Sequence, residues 1–389
     1  MSSPGLRPLA VPLGAAAPSI LAVLRRALDG SGPAVAPHAL DSAPQRIPDA
    51  VALPQGLALT IGTSGSTGPP KLAMLTRDAL RASADATYER LGGQGTWLLA
   101  MPAHHIAGIQ VLVRSLVAGT TPVAMDLQSG FTPAAFARAT AELPSAAMAY
   151  TALVPTQLVR LLASDDGREA LVRYAAVLVG GAATSSRVLA EAKDARIRVV
   201  MTYGMSETAG GCVYDGRALD VSRVQLEDDG RIRLGGSTLA QGYLDEPALS
   251  AEAFVVDDAA ARWFRTDDVG HLDDRGALIV DGRVDDLINT GGLKVAPRQV
   301  EEALTRLENV AEAVVVGTPD PEWGQLVSAA IVVTEGSSPP TLEEIRGGLR
   351  GILPEHALPR RIATLTELPL RGPGKPDRAA VRRHFNQDP

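Results

Sequence analysis

The chain has 389 residues, room for two or three domains at ~150 residues each. Apolar residues make up 46% and charged residues 21%, the balance of a soluble globular protein, and a formal net charge of -7 argues against a nucleic-acid-binding surface. A single cysteine, Cys212, excludes an internal disulfide framework or a cysteine-based zinc site, and no segment approaches the ~20 apolar residues of a membrane span.

In chain order, the apolar run Pro8 to Leu24 follows Arg7 as the core of a signal peptide would. Pro8, Pro12 and Pro18 break it, and Arg25 and Arg26 close it without a small-residue cleavage site. It reads as a cytoplasmic start, with Ser19 capping a short helix that places Leu21, Leu24 and Leu28 on one face and ends at Gly30. Leu57 to Ile61 reads as a strand that leads through a Gly/Ser/Thr/Pro loop to a helix beginning after Thr76. The alternation recurs in a strand over Ala175–Val179, a helix over Ser186–Ala195 and a strand over Ile197–Thr202. Between Arg231 and Val280 the pattern turns to short strands and turns.

These elements predict an α/β protein: a large N-terminal domain of mixed sheets and helices, then a small α+β C-terminal domain. The boundary falls in Gly282–Asp286, dividing the chain into residues 1–284 and 285–389. The smaller part should hold a helix near Arg298–Leu307, strands over Ala313–Val316 and Val327–Val333, and a helix near Leu342–Leu353. A Pro/Gly-rich loop, Leu368 to Pro376, and a short basic helix end it.

Of the 37 basic residues only four are lysines: Lys71, Lys193, Lys294 and Lys375. Where arginine has replaced lysine so thoroughly, the survivors are candidates for work that needs a compact ammonium on a flexible stem. Lys193 lies on a polar helical stretch and reads as solvated. Lys71 ends the strongest local signal, Thr63-Ser64-Gly65-Ser66-Thr67-Gly68-Pro69-Pro70-Lys71. Its glycines allow close approach to a phosphate, its amides and hydroxyls donate, and its lysine offsets negative charge. It is not the common P-loop, because two prolines stand before the lysine and Leu72 follows it. The plain alternative, a solvated Gly/Ser turn, accounts poorly for the lysine and the density of hydroxyls.

This loop resembles the phosphate-binding signature of the adenylate-forming superfamily: acyl- and aryl-CoA ligases, adenylation domains and luciferases. Further segments match in order over roughly residues 57 to 383. The resemblance of Val179-Gly180-Gly181-Ala182 and Tyr203-Gly204-Met205-Ser206-Glu207-Thr208 implies that Gly181, Ala182 and Tyr203 border the adenine. It also implies that Glu207 coordinates Mg²⁺ and Thr208 contacts the α-phosphate. A hard cation beside phosphates does want carboxylate oxygen. Trp263–Gly270 is similar to the family's ribose-binding segment, with Asp268 as the ribose ligand and Asp267 where the family has glycine. Gly282-Arg283-Val284-Asp285-Asp286 resembles the hinge, with Arg283 at the ribose or phosphate and Asp285 as the pivot of a mobile C-terminal domain. The stretch with Gly291, Gly292 and Lys294 resembles the family's loop that enters the site for thioester formation, and Leu370–Arg378 resembles the motif that delivers the catalytic lysine, which implies that role for Lys375. Taken alone, such a lysine would be an idle solvated charge and Asp285-Asp286 an exposed acidic turn.

The activity so implied consumes ATP with Mg²⁺, forms an acyl-AMP from a small carboxylic acid, and passes the acyl group to coenzyme A, with catalytic Lys71, Glu207, Thr208 and Lys375. The segment Met101–Gly108, with His104 and His105, Gln110 and Arg114, most resembles the o-succinylbenzoate–CoA ligases of menaquinone synthesis within that family. Such a keto-dicarboxylate requires a cation for the carboxylate that is not activated. Arg114 is the candidate, near His105, Thr151 and Gln157, against a reading of Arg114 on a solvated helix face. On an extended segment His104 and His105 would point oppositely and make a poor metal site. The alternatives are a ligase of another aryl or medium-chain acid, loading of a carrier protein, or a non-catalytic nucleotide sensor. A homodimer is the one assembly considered among its partners.

Overall fold

The computed structural model describes residues 5–48, 52–63, 71–145, 147–371 and 375–387. They form two compact units. The first takes the residues up to Gly181, Ala192–Gln225 and Arg233–Thr266; the second takes Ala182–Glu191, Leu226–Ile232 and the residues from Asp267 onward.

The first unit carries two sheets. Strands β1 (Leu6–Val11), β2 (Ala34–Ala39), β3 (Leu57–Gly62) and β4 (Leu72–Thr76) pair in sequence order, the first three parallel and β4 antiparallel to β3. Strands β5 (Thr96–Leu99), β6 (Val123–Ala124), β7 (Ala149–Leu153), β8 (Ala176–Gly180), β9 (Val199–Met205), β10 (Gly210–Tyr214) and β11 (Arg217–Ala218) form a sheet of order β11-β10-β9-β8-β7-β5-β6. Its strands β7 and β8 are parallel and almost wholly buried, in keeping with their largely apolar sequences.

Of the helices that fill one core with these sheets, two bear on the site. Arg77–Leu91 begins at Thr76, whose hydroxyl accepts from Ala79 N–H at 3.2 Å, and ends at Gly92 in the left-handed conformation. Ile106–Val117 is buried on all sides from Gly108 to Ser115, the pattern of a helix inside a core rather than on its surface. Ile109, Val111, Leu112 and Val113 have no exposed surface, each worth about 1.5–3 kcal/mol relative to solvent. The helix comes so near the preceding turn that a Cβ on Gly108 would strike the Pro102 carbonyl.

Strands β12 (Ser222–Leu226), β13 (Arg231–Gly236), β14 (Phe254–Val256), β15 (Arg262–Leu272) and β16 (Leu278–Arg283) pair in the order β12-β13-β15-β14, with β16 also on β15. In the second unit, β17 (Ile288–Thr290), β18 (Leu293–Val295), β19 (Val310–Asp320), β20 (Gly324–Val333) and β21 (Arg361–Leu365) form a sheet of order β18-β17-β20-β19, β21 lying parallel to β20. One of its cores collects Val300, Leu304, Ile345 and Leu349 from the helices Pro297–Leu304 and Leu342–Leu349. Another collects Val381 and Phe385 from the terminal helix Arg378–Gln387. Strands β22 (Leu370–Arg371) and β23 (Lys375–Pro376) form a short hairpin just ahead of that helix.

Three expectations from sequence need correction. Ser19 caps nothing: it lies inside a 3-10 turn, Gly14–Ile20, and the helix Leu21–Asp29 has Ile20 at its N-cap. The loop after β3 does not lead into a helix but returns as β4, so the loop closes a hairpin and the helix starts a strand later. His104 and His105 lie in a turn rather than an extended segment, and their rings approach to 4.2 Å between centroids.

Candidate active site

The hairpin fixes both ends of the hydroxyl-rich loop. Gly62 pairs with Leu72 across β3 and β4, and Thr63 N–H donates to the Lys71 carbonyl at 2.8 Å. Ser64, Gly65, Ser66, Thr67 and Gly68 lie outside the described residues. Against this mouth stands the turn Ser206–Thr208, held by Ser206 Oγ donating to the Gly62 carbonyl at 3.1 Å. Glu207 is buried, at 7% exposure. Its carbonyl accepts from Ala240 N–H at 2.8 Å, and its Oε1 accepts from the Tyr243 hydroxyl at 2.8 Å. The Lys71 ammonium lies over the face of the same tyrosine, 5.2 Å from the ring centroid. The structure thus brings Lys71 and Glu207 to one phenol ring, a group that sequence reasoning missed: Gln241-Gly242-Tyr243-Leu244 carries no chemistry-bearing pattern by itself.

Thr208 is fully buried and faces its own turn. Its Oγ1 accepts from Met205 N–H at 3.0 Å and lies within bonding distance of the Met205 and Gly210 carbonyls. The next residue, Ala209, is left-handed at φ 52°, a costly conformation for a residue with a Cβ. Two buried donors secure it, since Ser83 Oγ and Gln110 Nε2 both bond the Ala209 carbonyl. Gly181 follows β8 with φ 83°, and Tyr203 pairs with Val213 across β9 and β10. Ala182 belongs to the second unit.

Among the described residues, no group of three or more His, Cys, Asp or Glu side chains could hold a metal ion. A buried carboxylate beside the Gly/Ser/Thr-rich segment nevertheless suits Mg²⁺, which keeps waters and, where phosphates are present, is shared with them rather than caged by protein.

The residues expected around the acid are distributed differently. His105 is exposed at the N-cap of the helix Ile106–Val117. His104 is half-buried with its Nδ1 enclosed and without a hydrogen-bond partner, and burial pushes its pKa below the usual histidine value, Asp41 opposing. Arg114 is neither on a solvated face nor on an open pocket wall, being 3% exposed. Its guanidinium lies 4.9 Å from the centroid of the Trp97 ring, and Nη2 donates to the Tyr214 hydroxyl at 3.3 Å. Thr151 is fully buried in β7 and spends its hydroxyl on the Leu98 carbonyl at 3.1 Å. Gln157 accepts from Val154 N–H and donates to the Ala100 carbonyl, capping a helix.

In the second unit, Asp267 and Asp268 separate clearly. Asp267 is exposed and takes Arg231 at 3.2 Å and Arg283 at 3.4 Å. Asp268, next along β15, is half-buried and stands opposite Arg283 of β16. Asp267 occupies ordinary extended backbone within β15, so aspartate at the family's glycine position brings no positive φ. Arg283 Nε donates to Asp285 Oδ1 at 2.9 Å. Burial works against its charge, but Asp285, Asp268 and Asp267 together outweigh it and raise its pKa. Gly291 and Gly292, at φ 59° and 81°, form the two-residue turn between β17 and β18, a hairpin conformation that glycine adopts without strain. Lys294 is exposed on β18. Lys375 falls in β23, and its side chain lies outside the described residues.

A cluster unforeseen from sequence anchors the helix after Lys375. Arg378 Nη1 and Nη2 donate to the two oxygens of Glu301 at 2.5 and 3.1 Å, Nη1 also to the Val315 carbonyl at 2.6 Å, and Nε lies 3.4 Å from Asp286.

The chain matches the family models "AMP-binding enzyme" over residues 18–282 and "AMP-binding enzyme C-terminal domain" over residues 299–375. It is 45% identical over 384 residues to the probable 2-succinylbenzoate–CoA ligase of Mycobacterium tuberculosis, covering 98% of each chain. It is 33% identical over 340 residues to the 2-succinylbenzoate–CoA ligase of Listeria innocua, covering 83% of this chain and 69% of that one. Among solved structures it resembles ATP-bound MatB from Rhodopseudomonas palustris (TM-score 0.81, 20% identity, covering 99% of this chain and 89% of that one). It also resembles o-succinylbenzoate CoA synthetase from Bacillus subtilis in complex with its acyl-adenylate (TM-score 0.73, 23% identity, 98% and 88%). No helix among the described residues is long and apolar enough to cross a membrane. With matches to the family models over both parts of the chain, and the loop, the Glu207 turn and the paired β15–β16 segment in order along it, the chain belongs to the AMP-binding enzyme family.

Proposed function

We propose that this protein is an ATP-dependent acid–coenzyme A ligase that converts o-succinylbenzoate to o-succinylbenzoyl-CoA through an acyl-AMP intermediate. The observation that carries this reading is the 45% identity, over 98% of both chains, to a protein named as a probable ligase of that acid.

In this reading the acid carboxylate attacks the α-phosphorus of ATP, the bond to pyrophosphate breaks, and acyl-AMP forms. The loop 63–71 binds the phosphates through amides and hydroxyls. Lys71 offsets charge near its mouth, and Glu207 is the carboxylate that would hold Mg²⁺, whose contribution is to offset charge on the phosphoryl oxygens. The Thr208 hydroxyl, turned inward, shapes the Glu207 turn, and a contact with the α-phosphate would require it to exchange a backbone partner. Gly181, Ala182 and Tyr203 border the adenine, Asp268 takes the ribose hydroxyls, and Arg283 supports it. Asp285 is the pivot about which Lys375 gives way to the turn carrying Gly291, Gly292 and Lys294. The coenzyme A thiol then attacks the acyl carbon and AMP leaves. His105, exposed at its helix N-cap, is the acid-side candidate best presented to substrate, while Arg114 and Thr151 support the wall from behind.

The test is pyrophosphate release with ATP and Mg²⁺ over a panel of carboxylic acids, with and without coenzyme A. A coenzyme A-dependent thioester from o-succinylbenzoate is expected. Activity with another acid alone would keep the ligase and remove the substrate, and silence across the panel with intact ATP binding would favour a nucleotide sensor. Lys375→Ala should cripple adenylation yet leave thioester formation from supplied acyl-AMP largely intact; near-parental ATP-dependent turnover would remove Lys375 from the chemistry.

A further inference from the structure

We infer that Tyr243 is a positioning residue that sets Glu207 for the metal and Lys71 for the nucleotide at the same time. The inference rests on the reading of Glu207 as the Mg²⁺ carboxylate. Tyr243 touches both charged groups, through different parts of one side chain. Its hydroxyl donates to Glu207 Oε1 at 2.8 Å, and its ring face carries the Lys71 ammonium at 5.2 Å.

The backbone explains how the ring comes to lie there. The segment Ala240–Leu244 is strapped along β4: Gln241 N–H donates to Met74 O, Met74 N–H to Gly242 O, and Leu244 N–H to Leu72 O, each at 2.8–2.9 Å. Ala73 and Tyr243 form an antiparallel bridge. The register therefore places Tyr243 two residues from Lys71 on the neighbouring strand. The same strap reaches the other side of the site, since Ala240 N–H donates to the Glu207 carbonyl. The ring is 5% exposed and packs edge-on against Phe254 at 5.7 Å, which fixes its plane. Tyr243 N–H is held by Ser250 Oγ at 2.8 Å. Both contacts that Tyr243 makes with charge are thus made by a pre-oriented group.

The chemistry of each contact differs. A phenol that donates to one carboxylate oxygen selects the rotamer of Glu207 and directs its remaining lone pairs, the role that outer partners of metal-binding carboxylates generally play. The ring face attracts the ammonium without taking its hydrogen-bond donors, so Lys71 keeps all three for phosphate oxygens. Phenylalanine retains the second function and loses the first, and leucine loses both.

Mn²⁺ binding, followed by loss of the free-ion electron paramagnetic resonance signal with the full chain saturated by a nonhydrolysable ATP analogue, separates these roles without turnover. Tyr243→Phe should weaken Mn²⁺ binding by about tenfold while thermal unfolding and the analogue's affinity in the absence of metal stay close to the parent. Tyr243→Leu should weaken both metal and analogue. In a cycle with Glu207→Gln, the Tyr243→Phe effect should vanish, because the hydroxyl acts through that carboxylate. Parental Mn²⁺ affinity in Tyr243→Phe, with Glu207→Gln weakened, overturns the role of Tyr243 alone. Parental affinity in Glu207→Gln overturns it together with the reading of Glu207. A lowered unfolding midpoint with unchanged Mn²⁺ affinity reduces Tyr243 to a packing residue and equally overturns the inference.

Discussion

Lys375 stands three residues ahead of Arg378, so the anchorage of Arg378 governs how firmly the lysine-bearing hairpin is tied to its unit. Consider Glu301→Ala. It removes both carboxylate oxygens from the Arg378 fork and leaves Val315 N–H, now 2.8 Å from Glu301 Oε1, without its acceptor. Removing one member of a buried pair costs about 3–5 kcal/mol, because the other charge is stranded. Here Asp286 and the Val315 carbonyl remain with Arg378, whose side chain is 24% exposed, so the lower figure of about 2–3 kcal/mol is expected. At 1.4 kcal/mol per decade this raises the population of the locally opened helix Arg378–Gln387 by roughly 30- to 150-fold. Hydrogen–deuterium exchange of the amides around Val381 to Phe385 reads that opening directly. Arg378→Lys, which keeps the charge but not the fork, should fall between the parent and Glu301→Ala. Exchange within twofold of the parent in Glu301→Ala would refute the argument, by showing that hydrophobic contacts of Val381 and Phe385 hold the helix without the ion pair.

Two further predictions concern the first unit. Arg114→Ala opens a gap beside Trp97 and removes a partner of Tyr214, which should cost about 2–4 kcal/mol of stability. Arg114→Met should recover much of this in thermal unfolding with an unchanged KM for the acid; a raised KM at parental stability would return Arg114 to the substrate pocket. The depressed pKa of His104 means that the unfolded chain binds the proton more readily than the folded one. Stability from this group is therefore full above the unfolded value near ~6.5 and is lost as pH falls below it, towards the lower folded value. His104→Gln should flatten the decline of the unfolding midpoint between about pH 7 and 5; an identical decline in parent and variant would place the titration elsewhere.

What sequence could disclose followed from how locally each feature is encoded. The helix after Thr76 and the strand ahead of Thr63 were legible, because a cap and an apolar run act over a few neighbours. The return strand Leu72–Thr76 was hidden: five residues leading straight into a helix cap read as part of the loop's exit, and only pairing with β3 makes them a strand. Asp267 and Asp268 were told apart by register, and β alternation turns that register into different surroundings, Asp267 exposed with two arginines and Asp268 half-buried opposite Arg283. Arg114 shows the converse. Its charge suggested a ligand for a carboxylate, since sequence cannot show that Trp97 and Tyr214 already enclose the guanidinium. Tyr243 was invisible for a related reason. A tyrosine in an unremarkable stretch acquires its role only when the strap Ala240–Leu244 is laid beside β4, more than 160 residues earlier in the chain. Chemistry carried within one loop can be read from its residues, whereas chemistry made by two segments meeting depends on pairing partners that no local pattern names. That difference is why sequence reasoning singled out the charged residues of the candidate site and passed over the neutral ring between them.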